Sequence, residues 1–384
     1  MKTIKLITAV LVLTVFCAGS IQSATRDEEV RTKTFNVSKG GKLTVDISAG
    51  AIKVSAWSKD QVEIRISGLD EEELGKVEME SDNKNVTVTY NESWGSDEET
   101  EFEISVPSKY NLDLKTSAGD IQTTNDIDGY VKASTSGGDL SFKDVSGDLN
   151  AESNGGNINV GNVGGNLNLN TMGGDINVGS LKGKDNKINT MGGEISIGKS
   201  LSGVSAKTYG GDITAGDAGG ESEFVTYGGN ISVGSVKGNV SLETYGGNLE
   251  LKGAVGKVKG KTNGGNITLY DVKGSVDVKT LAGEVSVALD PAPNSESKIS
   301  TNAGSINLKV PSLAKTTIEA SVHVQGWWRD AKDSYKIHSD FEAESYKADD
   351  RRHEIVGTYV LNGGGSKIFL KSVNDEITIK KEAK

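Results

Sequence analysis

Between residues 140 and 269, apolar and polar positions alternate in short bursts. They read Leu140-Ser141-Phe142, Ile158-Asn159-Val160, Ile176-Asn177-Val178, Ile195-Ser196-Ile197, Ile213-Thr214-Ala215, Ile231-Ser232-Val233, Leu249-Glu250-Leu251 and Ile267-Thr268-Leu269. An apolar–polar–apolar burst is a short strand with one buried face. Each follows a glycine doublet and an Asp, Asn or Glu. The second glycines fall at 138, 156, 174, 193, 211, 229, 247 and 265, a step of 18 residues with one step of 19. Further on in each repeat a second strand is expected, as in Asn166-Leu167-Asn168-Leu169 and Asn239-Val240-Ser241-Leu242. A fixed short period predicts stacked repeats, and a chain that goes once round before it pairs gives parallel ladders. The expected fold class is therefore all-β: a parallel β-helix, or β-solenoid, with coils of about 18 residues.

Three columns accompany the bursts. Threonine precedes the corner at Thr116, Thr135, Thr171, Thr190, Thr208, Thr226, Thr244, Thr262, Thr280 and Thr301. It shares the parity of the inward positions, which predicts a buried row with stacked hydroxyls rather than an outward ice-binding face. The next position, outward on the same parity, runs Met172, Met191, Tyr209, Tyr227 and Tyr245. Self-stacking at a corner explains such a stripe, and so does a partner-binding platform. After the doublet come Asp120, Asp139, Asn157, Asp175, Glu194, Asp212, Asn230, Asn248, Asn266 and Glu284. Turn capping is favoured there over a calcium site, because the nonapeptide Gly-Gly-x-Gly-x-Asp pattern is not matched. The glycines themselves are expected to supply positive φ at the corners.

The flanks depart from the period. Residues 1–24 read as an export leader: Lys2 and Lys5, an apolar run from Ile4 to Cys17, then small residues. Its removal would take away the sole cysteine and shift the net charge from −11 to −13 through the loss of two lysines. Residues 25–110 are expected to form a strand-rich cap and first coil, 111–310 the repeat array, and 311–384 an elaborated region with final coils. The last region holds Trp327-Trp328 and all three histidines, His323, His338 and His353. Acidic runs at Asp70-Glu71-Glu72-Glu73 and Asp97-Glu98-Glu99 disfavour nucleic acid and anionic membrane as partners. The leader's apolar run is too short for a comfortable span, and no stable membrane insertion is expected.

Phe35-Asn36-Val37, Lys42-Leu43-Thr44-Val45, Val106-Pro107-Ser108, Thr116-Ser117-Ala118-Gly119-Asp120-Ile121, Gly363-Gly364-Gly365-Ser366-Lys367-Ile368 and Ile377-Thr378-Ile379 carry a family likeness. With the leader they resemble the bacterial "putative adhesin" family of secreted β-solenoid domains of unknown function. That resemblance implies a right-handed winding over residues 30–381 and contributes no catalytic or binding residue.

Residues 111–310 contain no His, Arg, Cys or Trp, which weighs against a polysaccharide-cleaving enzyme. No catalytic residue, cofactor or metal site is assigned. The expected function is an exported, non-catalytic, adhesin-like binding or structural protein, presenting a flat face to a surface, glycan or protein partner. Its site is the stripe Met172, Met191, Tyr209, Tyr227 and Tyr245. A polysaccharide-active enzyme and a cation-binding or self-assembling rod are the alternatives, and the location is periplasmic, cell-surface or secreted.

Overall fold

The computed structural model describes residues 30–91, 100–325 and 335–382. The expected leader at 1–24, the run Asp97-Glu98-Glu99 and the pair Trp327-Trp328 lie outside the described residues.

The alternating bursts are strands, and residues one period apart lie side by side. Leu140 pairs in parallel with Ile158, Ile158 with Ile176, Ile176 with Ile195, Ile195 with Ile213 and Ile213 with Ile231. The second strands do the same, from Ala133 to Ala151 to Leu169 to Ile188 to Ala206. A third line of contact is made of single bridges joining Val145, Val163, Leu181, Ser200, Ala218 and Val236. Alternation sends every second side chain inward, so Ile158, Ile176, Ile195, Ile213 and Ile231 are buried. Each contributes about 1.5–3 kcal/mol of apolar burial.

These strands belong to one sheet of 33 strands among the described residues, and that sheet turns through 340° round an axis, a nearly closed barrel. This corrects the expected fold class. The chain is not the right-handed parallel β-helix, or β-solenoid, of about 18-residue coils. A repeat period states which residues become neighbours; it does not state how the sheet they build will close. Nor does it reveal the antiparallel strands that join the same sheet at its ends. Arg31–Asn36 pairs antiparallel with Gln61–Ser67, which pairs antiparallel with Glu101–Pro107. Near the other end Thr316–His323 pairs antiparallel with Glu354–Leu361, and that strand with Ser345–Asp349.

One acidic run has a local explanation. Asp70 caps the helix Glu71–Lys76: its carboxylate accepts from the Glu73 N–H while Glu73 reaches back to the Asp70 N–H. The carboxylates of Glu71, Glu72 and Glu73 then sit at the positive end of the helix dipole.

The second glycine of each doublet is required for a reason other than the one expected. Gly138, Gly156, Gly174, Gly193, Gly211, Gly229, Gly247 and Gly265 do not occupy the left-handed region. Instead the chain passes so near its neighbour that a β-carbon on Gly174 would lie 2.1 Å from the carbonyl oxygen of Gly156. First glycines have more room: one on Gly155 would lie 3.4 Å from its nearest neighbour, the Gly137 oxygen.

Candidate functional site

The corner that carries the glycines also presents the stripe. Thr208, Thr226 and Thr244 point inward, and the following tyrosines point out by strand parity. Met172, Met191, Tyr209, Tyr227 and Tyr245 are all exposed, by 46 to 60%. Tyr209 stacks on Tyr227 with ring centroids 4.9 Å apart and planes 2° from parallel; Tyr227 stacks on Tyr245 at 5.0 Å and 4°. That distance matches the 4.7–4.9 Å spacing of paired strands, so the backbone sets the stack. Both faces of the Tyr227 ring are thus turned towards neighbouring rings. Lys261 Nζ lies 5.7 Å from the Tyr245 ring and pairs with Glu243 at 2.8 Å. The row offers a partner phenolic edges and hydroxyls held in register, with the methionines extending it.

Beneath the stripe, the buried threonines do not stack hydroxyl on hydroxyl. Thr171 Oγ1 donates to the Gly156 carbonyl at 2.8 Å, and Thr208, Thr226, Thr244 and Thr262 repeat the bond to Gly193, Gly211, Gly229 and Gly247. Each hydroxyl also accepts from the second glycine of its own doublet, as Thr226 does from the Gly229 N–H at 3.3 Å.

The acidic and amide column beside the glycines is a cap. Asp139, Asn157 and Asp175 each accept the backbone N–H of the next repeat through Oδ1, at 2.7 to 2.8 Å. Asp212, Asn230 and Asn248 continue the row. A second such ladder runs from Asp126 to Asp144 to Asn162 to Ser180. A third runs from Asp148 to Asn166 and on to the Lys184 and Asp185 N–H groups. One carboxylate oxygen of Asp175 and Asp212 is therefore committed to a backbone donor. Among the described residues, no group of three or more His, Cys, Asp and Glu side chains is placed to hold a metal ion. The histidines are dispersed, and His338 faces Glu376 at 3.7 Å.

The ladders carry a pH signature. The side-chain amide of Asn162 donates to Asp144 Oδ2 at 2.9 Å and its backbone N–H to Oδ1 at 2.8 Å, holding this carboxyl below its ordinary value of 3.8. The stabilisation is complete above the unfolded-chain value of about 3.9 and is lost as pH falls through the lower folded value. Carboxyl-carbon NMR is expected to place the Asp144 midpoint below that of a random-coil aspartate. Asn162→Ala should return it towards the ordinary value.

Sequence reasoning missed a groove of about 770 Å³ on another face, across the strands Asn186–Asn189, Ser205–Lys207, Ser222–Val225 and Val240–Glu243. Its signal lies in cross-strand order. Lys187, Ser205, Glu223, Ser241 and Lys259 are successive neighbours, so serine notches alternate with charged posts. Lys187 pairs with Asp185 at 3.1 Å and Glu223 with Lys207 at 2.8 Å.

With the geometry in view, comparison with known proteins corrects the family resemblance. Residues 41–221, less than half of the chain, match a family model described as Toastrack DUF4097. This points to an all-β toastrack or barrel fold in place of the β-solenoid that the resemblance implied. The corner and strand motifs behind that expectation are short and repetitive, and they report neighbour spacing rather than sheet closure. No curated protein matches the chain. Among solved structures, a putative adhesin from Bacteroides fragilis is 14% identical, covering 73% of this chain and 97% of its own, with a TM-score of 0.34. One from Parabacteroides distasonis is 16% identical, with coverage of 73% and 98% and a TM-score of 0.28. A putative cell adhesion protein from Clostridium sporogenes is 10% identical, with coverage of 92% and 100% and a TM-score of 0.19. Scores this low carry no weight for fold or function. Among the described residues, no helix is long and apolar enough to cross a membrane.

Proposed function

We propose that this chain is an exported, non-catalytic, adhesin-like binding protein whose contact row is Met172, Met191, Tyr209, Tyr227 and Tyr245. Regions 25–110 and 311–384 close the ends of the repeat array 111–310 in this reading, shielding strand edges that would otherwise recruit other chains. Export follows from the composition of residues 1–24.

The observation that carries the proposal is the stacked exposed row itself. Five large apolar or aromatic side chains sit in line at strand spacing and are exposed. Stacking fixes the three rings before any partner arrives, so little side-chain entropy is lost on contact. Because the ring faces cover one another, the row suits a protein or cell surface that packs on phenolic edges and hydroxyls better than a flat sugar. Tyrosine is, with tryptophan and arginine, enriched among the residues that dominate interface energy.

The test is adherence to immobilised extracellular-matrix proteins and to a glycan array, comparing the wild-type chain with Tyr209→Ser/Tyr227→Ser/Tyr245→Ser. Retention on at least one matrix protein is expected to fall tenfold or more in the triple variant, with Tyr227→Ser alone intermediate. A triple variant that is folded and adheres as well as wild type removes the stripe from the mechanism.

A further inference from the structure

We infer that a cleft beside Tyr270, at the far end of the repeat array from the methionines, is a binding subsite for a neutral pyranose. This goes beyond the stripe and rests on different residues.

The cleft arises from a mismatch between neighbouring strands. The first inward residues in Ile267–Thr280 are Ile267, Leu269 and Val272, whereas those in Val285–Pro291 are Val285, Val287 and Leu289. Ile267 faces Val285 and Leu269 faces Val287, but Val272 faces Leu289, so Tyr270 and Asp271 together oppose the single residue Ala288. This is a β-bulge, a device that re-aims a side chain. Its second residue, Asp271, holds φ at +37°, a region that a non-glycine residue seldom enters. Both residues are exposed, Tyr270 by 49%.

Beside the bulge, Tyr270 lines a cleft of about 270 Å³. Ala288 has Lys309 as its partner on the following strand, so a small residue lies between a tyrosine on one side and a lysine on the other. The two walls stand two strand spacings apart, about 9–10 Å. That gap accommodates a sugar ring against the tyrosine and leaves room for its hydroxyls to reach the lysine.

The remaining lining is hydrogen-bonding. Thr268, Ser286 and Asn307 are neighbours across three strands. Glu284 Oε1 accepts from Asn307 Nδ2 at 2.6 Å and from Ser286 Oγ at 3.2 Å, which fixes the carboxylate and leaves Oε2 to accept from a ligand hydroxyl. The backbone N–H of Glu284 is held by Asn266 Oδ1 at 2.8 Å. An aromatic ring above convergent acceptors and donors recognises the two sides of a pyranose, its C–H face and its hydroxyl rim. Glu284 and Lys309 balance in charge, so a neutral sugar fits better than a uronate or an amino sugar. Unlike Tyr209, Tyr227 and Tyr245, Tyr270 takes no part in a ring stack among the described residues.

The experiment is saturation-transfer difference NMR on the full chain, with the methyl β-pyranosides of glucose, galactose, mannose and N-acetylglucosamine as separate probes. At least one probe is expected to show transfer to its ring C–H protons. Tyr270→Ala should reduce that transfer at least fivefold and Tyr270→Phe should retain most of it. Ala288→Phe fills the cleft from its floor without touching Tyr270 and should abolish transfer even if Tyr270→Ala proves unstable. No transfer from any probe to the wild-type chain overturns the inference. So does transfer that persists in both Tyr270→Ala and Ala288→Phe. Matrix-protein adherence through the stripe should be unchanged in Ala288→Phe, so failure of one site is distinguishable from failure of the other.

Discussion

Replacing Gly174 with alanine is expected to destabilise the protein by about 3 kcal/mol or more, while the same change at Gly155 should be within about 1 kcal/mol of neutral. The two glycines differ in what a methyl group would meet. At Gly174 it would sit 2.1 Å from the Gly156 oxygen, 2.4 Å from the Gly156 carbonyl carbon and 2.7 Å from the Asn157 nitrogen, all backbone. Gly156 and Asn157 lie in the bend between the paired strands Leu149–Ser153 and Ile158–Val160, so they cannot step aside without disturbing the parallel register on either side. Relief therefore means opening the contact between two repeats, which also strains the Thr171 to Gly156 bond beside it. At Gly155 the methyl would make an ordinary contact, and alanine restricts the unfolded chain more than glycine does. Urea denaturation followed by far-UV circular dichroism reads both effects as midpoint shifts. Equal midpoints for the two variants would show that the close approach is not what selects glycine.

This contrast shows where sequence reasoning reaches and where it stops. The inward column from Leu140 to Ile267 is legible because alternation is local: apolar residues at positions i and i+2 must share a face. Outward exposure of Met172 through Tyr245 follows from the same parity. Three things were not legible. Closure of the sheet to 340° depends on summed strand geometry and on antiparallel strands such as Arg31–Asn36, neither of which a repeat period encodes. The glycine requirement was assigned to φ, but the clash partner is one repeat away in sequence. The threonine hydroxyls were expected to stack on one another. In parallel register, equivalent atoms stand about 4.8 Å apart, beyond the 2.5–3.0 Å of a hydroxyl hydrogen bond, so each hydroxyl turns to a glycine carbonyl instead.

The groove and the Tyr270 cleft were missed for a related reason. Each is defined by residues that are distant in sequence and adjacent only across strands. The bulge did leave a trace: the inward spacing 267, 269, 272 meets 285, 287, 289, one residue shorter. Reading two neighbouring repeats against each other, rather than each against the average, exposes it. Functional irregularity in a periodic chain is thus best sought where two adjacent repeats disagree.

The threonine column supports the second large prediction. Thr226→Val keeps the volume of the side chain and removes its hydroxyl, and it is expected to cost about 2–4 kcal/mol. Thr226 is fully buried; its Oγ1 donates to the Gly211 carbonyl at 2.8 Å and accepts from the Gly229 N–H at 3.3 Å. Valine deprives both backbone groups of these bonds, the Gly229 N–H buried and the Gly211 carbonyl half-buried, and each such loss costs about 1–3 kcal/mol. Thr226→Ser retains the hydroxyl and loses one methyl, a cost of about 1 kcal/mol. Gly229 links this residue to the next: its N–H serves Thr226 and its carbonyl serves Thr244 at 2.8 Å. The double variant Thr226→Val/Thr244→Val should therefore cost less than the sum of the singles, because the first substitution already loosens the shared glycine. Denaturation midpoints of the two singles and the double close the cycle. A Thr226→Val midpoint equal to wild type would mean that the hydroxyl column is a by-product of packing, with the repeats held by strand ladders and aliphatic burial alone.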